Sequence, residues 1–156
     1  MTDDELVAAV PGLQAIDEIS RLKATYVRLV DEHDWAALTE LFTPDLEVDI
    51  EESTSKPQGR EAFVASVSRH LTGALTVHQV HSPEIELADA DHATGIWGMQ
   101  DIVEPAVGSG FPRMSGYGHY HERYVREDGR WRICALRLTR LQRTVEEPLP
   151  AGSRPQ

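Results

Sequence analysis

From Leu13 onward apolar residues recur at three- and four-residue steps. Ile16, Ile19, Leu22, Tyr26, Leu29 and Val30 form one stripe, which predicts an amphipathic helix ending near Glu32 or His33. Lys23, Arg28 and Glu32 fall away from the stripe in this reading. Residues 1–12 are acidic and end in the helix-breaking pair Pro11-Gly12, so a short helix or loose arm is expected there. Asp34 suits the N-cap of a second, shorter helix, with Trp35, Leu38, Leu41 and Phe42 on its buried face and Thr43-Pro44 as its stop. Leu46-Glu47-Val48-Asp49-Ile50 alternates strictly and reads as a strand. After a polar loop over 51–58, Gly59 opens a third helix that runs to Leu71, and Gly73 closes it.

Four longer strands follow, roughly Leu75–Leu87, His92–Val103, Ser115–Arg126 and Arg130–Arg143. Ala88-Asp89-Ala90-Asp91 and Glu127-Asp128-Gly129 carry hairpin-turn chemistry. Glu104 to Met114 holds Pro105, Gly108, Gly110 and Pro112 and reads as a flexible loop, a candidate lid or subunit contact. Helices followed by a mostly antiparallel sheet give an α+β fold. A long sheet covered by helices on one side curls, and the concave face then encloses an apolar pocket. The expected organisation is an arm over 1–12, a pocket domain over 13–144 and a flexible tail over 145–156.

Composition narrows the function. At 156 residues the chain is one ordinary domain, and 40% hydrophobic residues place it outside the disordered regime. A net charge of −11 opposes binding to nucleic acid or anionic membrane but identifies no partner, and the small-molecule partner is expected from the pocket alone. The one cysteine, Cys134, lies in an apolar run and reads as a buried small hydrophobe. With no signal-like N-terminus and no spanning apolar run, a cytoplasmic protein is expected.

The candidate chemistry is acid–base. Tyr26 lies on the apolar stripe, so its hydroxyl needs an internal partner. Asp31 follows five residues later near the negative end of the helix, where the macrodipole raises a carboxylate's proton affinity. His78 and His81 point to opposite faces of one strand unless a bulge intervenes, and on pattern alone each reads first as a satisfied structural histidine. Trp97, Met99 and Asp101 share one face, an apolar wall with an acid at its end. Arg140 follows Leu136 and Leu138 on another face and calls for an anion, Asp101 or Asp31. His119 and His121 share a face, but no third metal ligand stands at useful spacing, and no metal or cofactor is expected.

The order of Tyr26-Val27-Arg28-Leu29-Val30-Asp31, Leu41-Phe42-Thr43-Pro44-Asp45, His78-Gln79-Val80-His81-Ser82-Pro83-Glu84-Ile85, Gly118-His119-Tyr120-His121-Glu122-Arg123-Tyr124 and Asp128-Gly129-Arg130-Trp131 resembles the SnoaL-like branch of the nuclear transport factor 2-like superfamily. The likeness spans roughly Ile16 to Leu141. It is nearest to bile acid 7α-dehydratases, with scytalone dehydratase and the hexachlorocyclohexane dehydrochlorinases more distant. The resemblance implies a cone-shaped α+β barrel, three helices packed on a strongly curved mixed sheet. It also implies a cofactor-free dehydratase or isomerase, acting on an apolar, polycyclic, steroid- or polyketide-like molecule through Tyr26, Asp31 and His78. Trp97, Met99, Asp101, Tyr120, Arg140 and His81 then bind substrate, and the protein is a homodimer or homotrimer. Polyketide cyclase and non-catalytic binding module are the alternatives on the same scaffold. Glu122 stands where many relatives carry aspartate, the strand over 47–50 lacks scytalone dehydratase's second tyrosine, and residues 103–114 match nothing in the family.

Overall fold

The computed structural model describes residues 2–51, 53 and 56–147. Its elements are α1 (Asp3–Glu32), α2 (Trp35–Thr39), β1 (Phe42–Ile50), α3 (Arg60–Leu71), β2 (Leu75–Leu87), β3 (His92–Glu104), β4 (Arg113–Glu127) and β5 (Arg130–Glu146). The strands form one five-stranded sheet in the order β1-β5-β4-β3-β2. β1 runs parallel to β5 and the other pairings are antiparallel. The sheet is mixed and curved with the helices against one face, as expected of the α+β class, but it stays open rather than closing into a barrel.

α1 is longer than its apolar stripe. It continues helical through Pro11, which forgoes one backbone hydrogen bond, so the expected break at Pro11-Gly12 does not occur. His33 ends it in the left-handed conformation (φ 58°), and the Asp34 side chain accepts from the Ala37 N–H at 3.0 Å to cap α2. α2 is five residues long, and Phe42 leaves the helix to begin β1 opposite Ile133. Thr43-Pro44 therefore sits in an irregular stretch of strand, where the missing proline N–H is tolerated. The two-residue hairpin at Asp128 (φ 51°) and Gly129 (φ 74°) has the left-handed pair that the strand twist favours.

The core lies between α1 and the concave face of the sheet, around Ile19, Leu38, Phe42, Leu46, Ile133 and Tyr124. Two bulges in β5 set which residues look inward. Opposite Arg123 and Tyr124 the register skips Cys134, so inward residues change from Trp131 and Ile133 to Leu136 and Leu138. Cys134 is consequently half-buried at a bulge rather than a core residue. Opposite Tyr117 and Gly118 the register skips Leu141, and the inward parity changes again. β5 extends to Glu146, so the first residues of the expected tail complete the β4–β5 ladder, and 148–156 lie outside the described residues. Among the described residues no helix is long and apolar enough to cross a membrane.

Candidate active site

Asp31 occupies the last turn of α1, and β2 lies against it with Thr76 and His78 two residues apart on the inward face. The carboxylate gathers three hydrogen bonds. Asp31 Oδ1 lies 2.7 Å from His78 Nδ1 and accepts from Thr76 Oγ1 at 2.9 Å, while Oδ2 accepts from the His78 backbone N–H at 2.9 Å. Nδ1 therefore carries the proton that faces Asp31, and Nε2 remains as the basic nitrogen. Burial alone would raise the Asp31 pKa, but the His78 ring and backbone donors and Thr76 outweigh it, and the net shift is downward. The expectation that the helix end would raise its proton affinity is thus reversed by local donors.

His78 lines a cavity of about 380 Å³ between α3, the inward sheet face and the 105–112 segment. Tyr26, Val67, Leu136, Leu138 and Tyr120 supply much of its wall. Asp101 sits directly opposite His78 in the β2–β3 ladder and pairs with Arg140 in a two-pronged bond, Nη1–Oδ1 and Nη2–Oδ2 each 2.8 Å. This ion pair is almost fully enclosed, at 4% and 9% side-chain exposure. Gly116 makes room for it, since a Cβ there would stand 2.9 Å from Arg140 Nη1. An apolar hollow with one imidazole base and one fixed ion pair can move a proton and orient an oxygen.

The SnoaL-like domain family model matches residues 11–137. The chain belongs to the SnoaL-like domain family. It is 29% identical over 148 residues to the Gibberella zeae protein named Probable cyclase FGR4, covering 86% of this chain and 95% of the relative. The fold matches a scytalone dehydratase-like protein from Novosphingobium aromaticivorans with a TM-score of 0.77 at 21% identity, over 94% of this chain and 99% of that one. It matches a type 2 hexachlorocyclohexane dehydrochlorinase with a TM-score of 0.76 at 21% identity, over 92% and 99%. Dehydratase-like and cyclase proteins are thus among the neighbours of this SnoaL-like domain.

Beneath the cavity lies a polar cluster that the helical pattern misplaced. Lys23 is fully buried, on the same stripe as Ile19 and Tyr26 rather than off it. Its Nζ lies 2.5 Å from Glu122 Oε1, 4.0 Å from the Tyr26 ring centre and 3.5 Å from that of Tyr120. Glu122 Oε2 accepts from the Tyr124 hydroxyl at 2.5 Å, and that hydroxyl accepts from Trp97 Nε1 at 2.8 Å. Desolvation pulls the Lys23 pKa down, against the pull of Glu122. Burial and the Glu122 charge push the Tyr26 phenol well above its ordinary value, while its hydrogen bond with Tyr120 works the other way. Tyr26 therefore stays a neutral donor across the physiological range. The signal available in the sequence was spacing: positions 19, 23, 26 and 30 keep a three-and-four step that a lysine's charge disguised.

Of the expected substrate-binding residues, Asp101, Tyr120 and Arg140 line the cavity of the SnoaL-like domain. Trp97 and Met99 do not. Trp97 is spent on Tyr124, and Met99 packs behind the wall with its sulfur 3.6 Å from Arg140 Nη1. His81 does not line the cavity either, because strand alternation turns it to the outer face, where its ring lies over Gly98. His119 and His121 share that outer face at 6.3 Å between ring centres, and no metal-holding group of three occurs among the described residues. A more open concavity of about 640 Å³ on the outer face, lined by Glu47, Asp49, Ile96, His121 and Arg137 among others, holds no part of the Asp31–His78 pair.

Proposed function

We propose that this protein is a cofactor-independent lyase, a dehydratase or an isomerase using the same first half-reaction, on an apolar, oxygenated, polycyclic molecule of steroid or polyketide type. The observation that carries the reading is the 2.7 Å bond between Asp31 and a His78 that faces an apolar cavity. Asp31 holds the ring in one tautomer, so Nε2 takes a proton from carbon beside a substrate carbonyl. Tyr26 and the Arg140 guanidinium lie where negative charge would develop on oxygen, and the leaving hydroxyl is reprotonated from the imidazolium. General base catalysis and a preorganised donor together lower the barrier by about 5–9 kcal/mol. A cyclisation begun by the same proton transfer is the second reading, supported by the cyclase name of the fungal relative. The apolar residues Leu75, Val77, Ile96 and Tyr117 on the outer face support self-association as a homodimer or homotrimer.

The test is turnover of a panel of oxygenated polycycles followed by mass spectrometry. Loss of water, or an isomer of equal mass, is expected from the parent protein, and His78→Ala and Asp31→Asn should each slow it by 10²-fold or more, in line with about 10²–10⁴ for acid–base assistance. Undiminished turnover in His78→Ala would exclude the mechanism. A ligand that copurifies and returns unchanged after prolonged incubation would favour a binding module.

A further inference from the structure

The substrate reading above leaves open what its outer end carries, and the bulge at Leu141 bears on this. Without the bulge, Gln142 would follow Leu138 and Arg140 on the inward face. With it, Arg143 pairs with Gly116, an inward position, and lines the cavity beside Met114. Arg143 thus stands in one cross-strand row with the reacting base: His78 opposite Asp101, Asp101 opposite Gly116, Gly116 opposite Arg143. Three strand spacings separate the two ends, about 14 Å along the sheet at about 4.8 Å each.

The other charged groups around this cavity are already matched. Arg140 is held by Asp101, His78 by Asp31, and the Glu104 carboxylate at the rim by Arg113, which also reaches Glu146. His70, across the mouth, turns its Nδ1 to the Ser66 carbonyl at 2.8 Å. Arg143 touches the Met114 sulfur at 3.1 Å and has no carboxylate partner among the described residues. A cation kept at an apolar mouth without a carboxylate, in a chain of net charge −11, is an anion receptor in waiting.

We propose that Arg143 is a specificity-determining residue, and that the natural substrate bears an acidic group on the end that projects from the cavity, away from the carbon that His78 deprotonates. The inference rests on the lyase reading for the identity of the reacting end. The acidic group is a carboxylate or a phosphate, either of which a guanidinium receives through two parallel N–H donors.

Two fluorescent probes that share an anilinonaphthalene skeleton separate charge from burial: anionic 1-anilinonaphthalene-8-sulfonate and neutral N-phenyl-1-naphthylamine. Arg143→Gln should lower the ratio of anionic to neutral affinity about fivefold or more while neutral-probe affinity stays within twofold, and Arg143→Lys should recover part of the ratio. Competition by decanoate, decyl phosphate and decanol then distinguishes the acids, and at least one acid should outcompete the alcohol by a similar factor. An unchanged ratio in Arg143→Gln, or an equal loss for both probes, overturns the proposal. So does displacement by decanol as effective as by either acid. If the ratio is unchanged while His78→Ala still abolishes turnover, this inference alone fails. If His78→Ala turns over normally while the ratio collapses, the lyase reading fails and the anion receptor stands.

Discussion

Replacing Lys23 by methionine would keep the side chain's length and remove its charge, stranding Glu122. Both groups of the pair are at 0% exposure, so water cannot substitute for the lost partner. Glu122 would keep the Tyr124 hydroxyl as a hydrogen-bond donor. A buried carboxylate left charged and unpaired costs about 3–5 kcal/mol. The chain has an alternative, which is to protonate it. At pH 7 that costs about 3.7 kcal/mol for an acid of ordinary pKa near 4.3, at 1.36 kcal/mol per unit. The two ring-face contacts of the ammonium are lost as well, but the lysine's own desolvation is relieved. The expected destabilisation is therefore about 3–4 kcal/mol at pH 7, a fall in Tm of roughly 6–16 °C for a chain of this size. It should also depend on pH. Protonating a stranded carboxylate costs less as pH falls toward the ordinary glutamate range, so native stability is regained toward acid and lost as pH rises. At pH 5 the protonation cost is about 1 kcal/mol. Urea unfolding followed by circular dichroism at the two pH values measures both. Lys23→Met with Glu122→Gln should return to within about 1.5 kcal/mol of the parent, since removing both charges removes the stranded one. A cost under about 1 kcal/mol at pH 7, or the same cost at pH 5, would refute the account of this pair.

Other outcomes are expected with less elaboration. Asp31 has a native pKa below the ordinary 3.8, so its stabilisation is present above that value and lost as pH falls through the native one. Asp31→Asn should accordingly flatten the stability curve below about pH 4, read by acid titration of thermal unfolding. Two glycines of the sheet should behave oppositely on substitution by alanine. At Gly118 a Cβ would overlap the Thr139 backbone carbonyl, so Gly118→Ala should cost about 2 kcal/mol or more, or block folding. At Gly98 the nearest obstacle is the rim of the exposed His81 ring at 2.5 Å, which can swing away, so Gly98→Ala should cost under about 1 kcal/mol. Equal melting points for the two variants would contradict this contrast.

Periodicity, caps and turn chemistry together placed the elements from Leu13 onward to within a few residues, because burial on one face imposes a step that survives in the residue pattern. It failed where that step is interrupted. Cys134 and Leu141 each add a residue to β5, and nothing in their chemistry marks a bulge. The inward side of that strand, and with it Arg143, was therefore invisible. Phe42 went to the wrong element because a strand's first buried aromatic and a helix's last look alike in sequence. At the site, Asp31 and His78 were separate candidates by pattern, and only the resemblance joined them as a pair. Their bond spans 47 positions and depends on how α1 lies against β2. Trp97 and Met99 were placed on the correct face, but facing inward and touching the cavity are different conditions. The core at that height is deep enough to bury both.

The parallel seam between β1 and β5 has a consequence for how the molecule is made. β1 finds its partners about ninety positions downstream, Glu47 beside Ala135 and Ile50 beside Leu138. A nascent chain leaving the ribosome will have exposed its three helices and β1 well before β5 exists to receive them. During synthesis that strand's edge and the Phe42 and Leu46 side chains wait uncovered. β1 can pair only once the last strand has been made, and a chain stopped short of Ile133 would leave that edge of the sheet unformed.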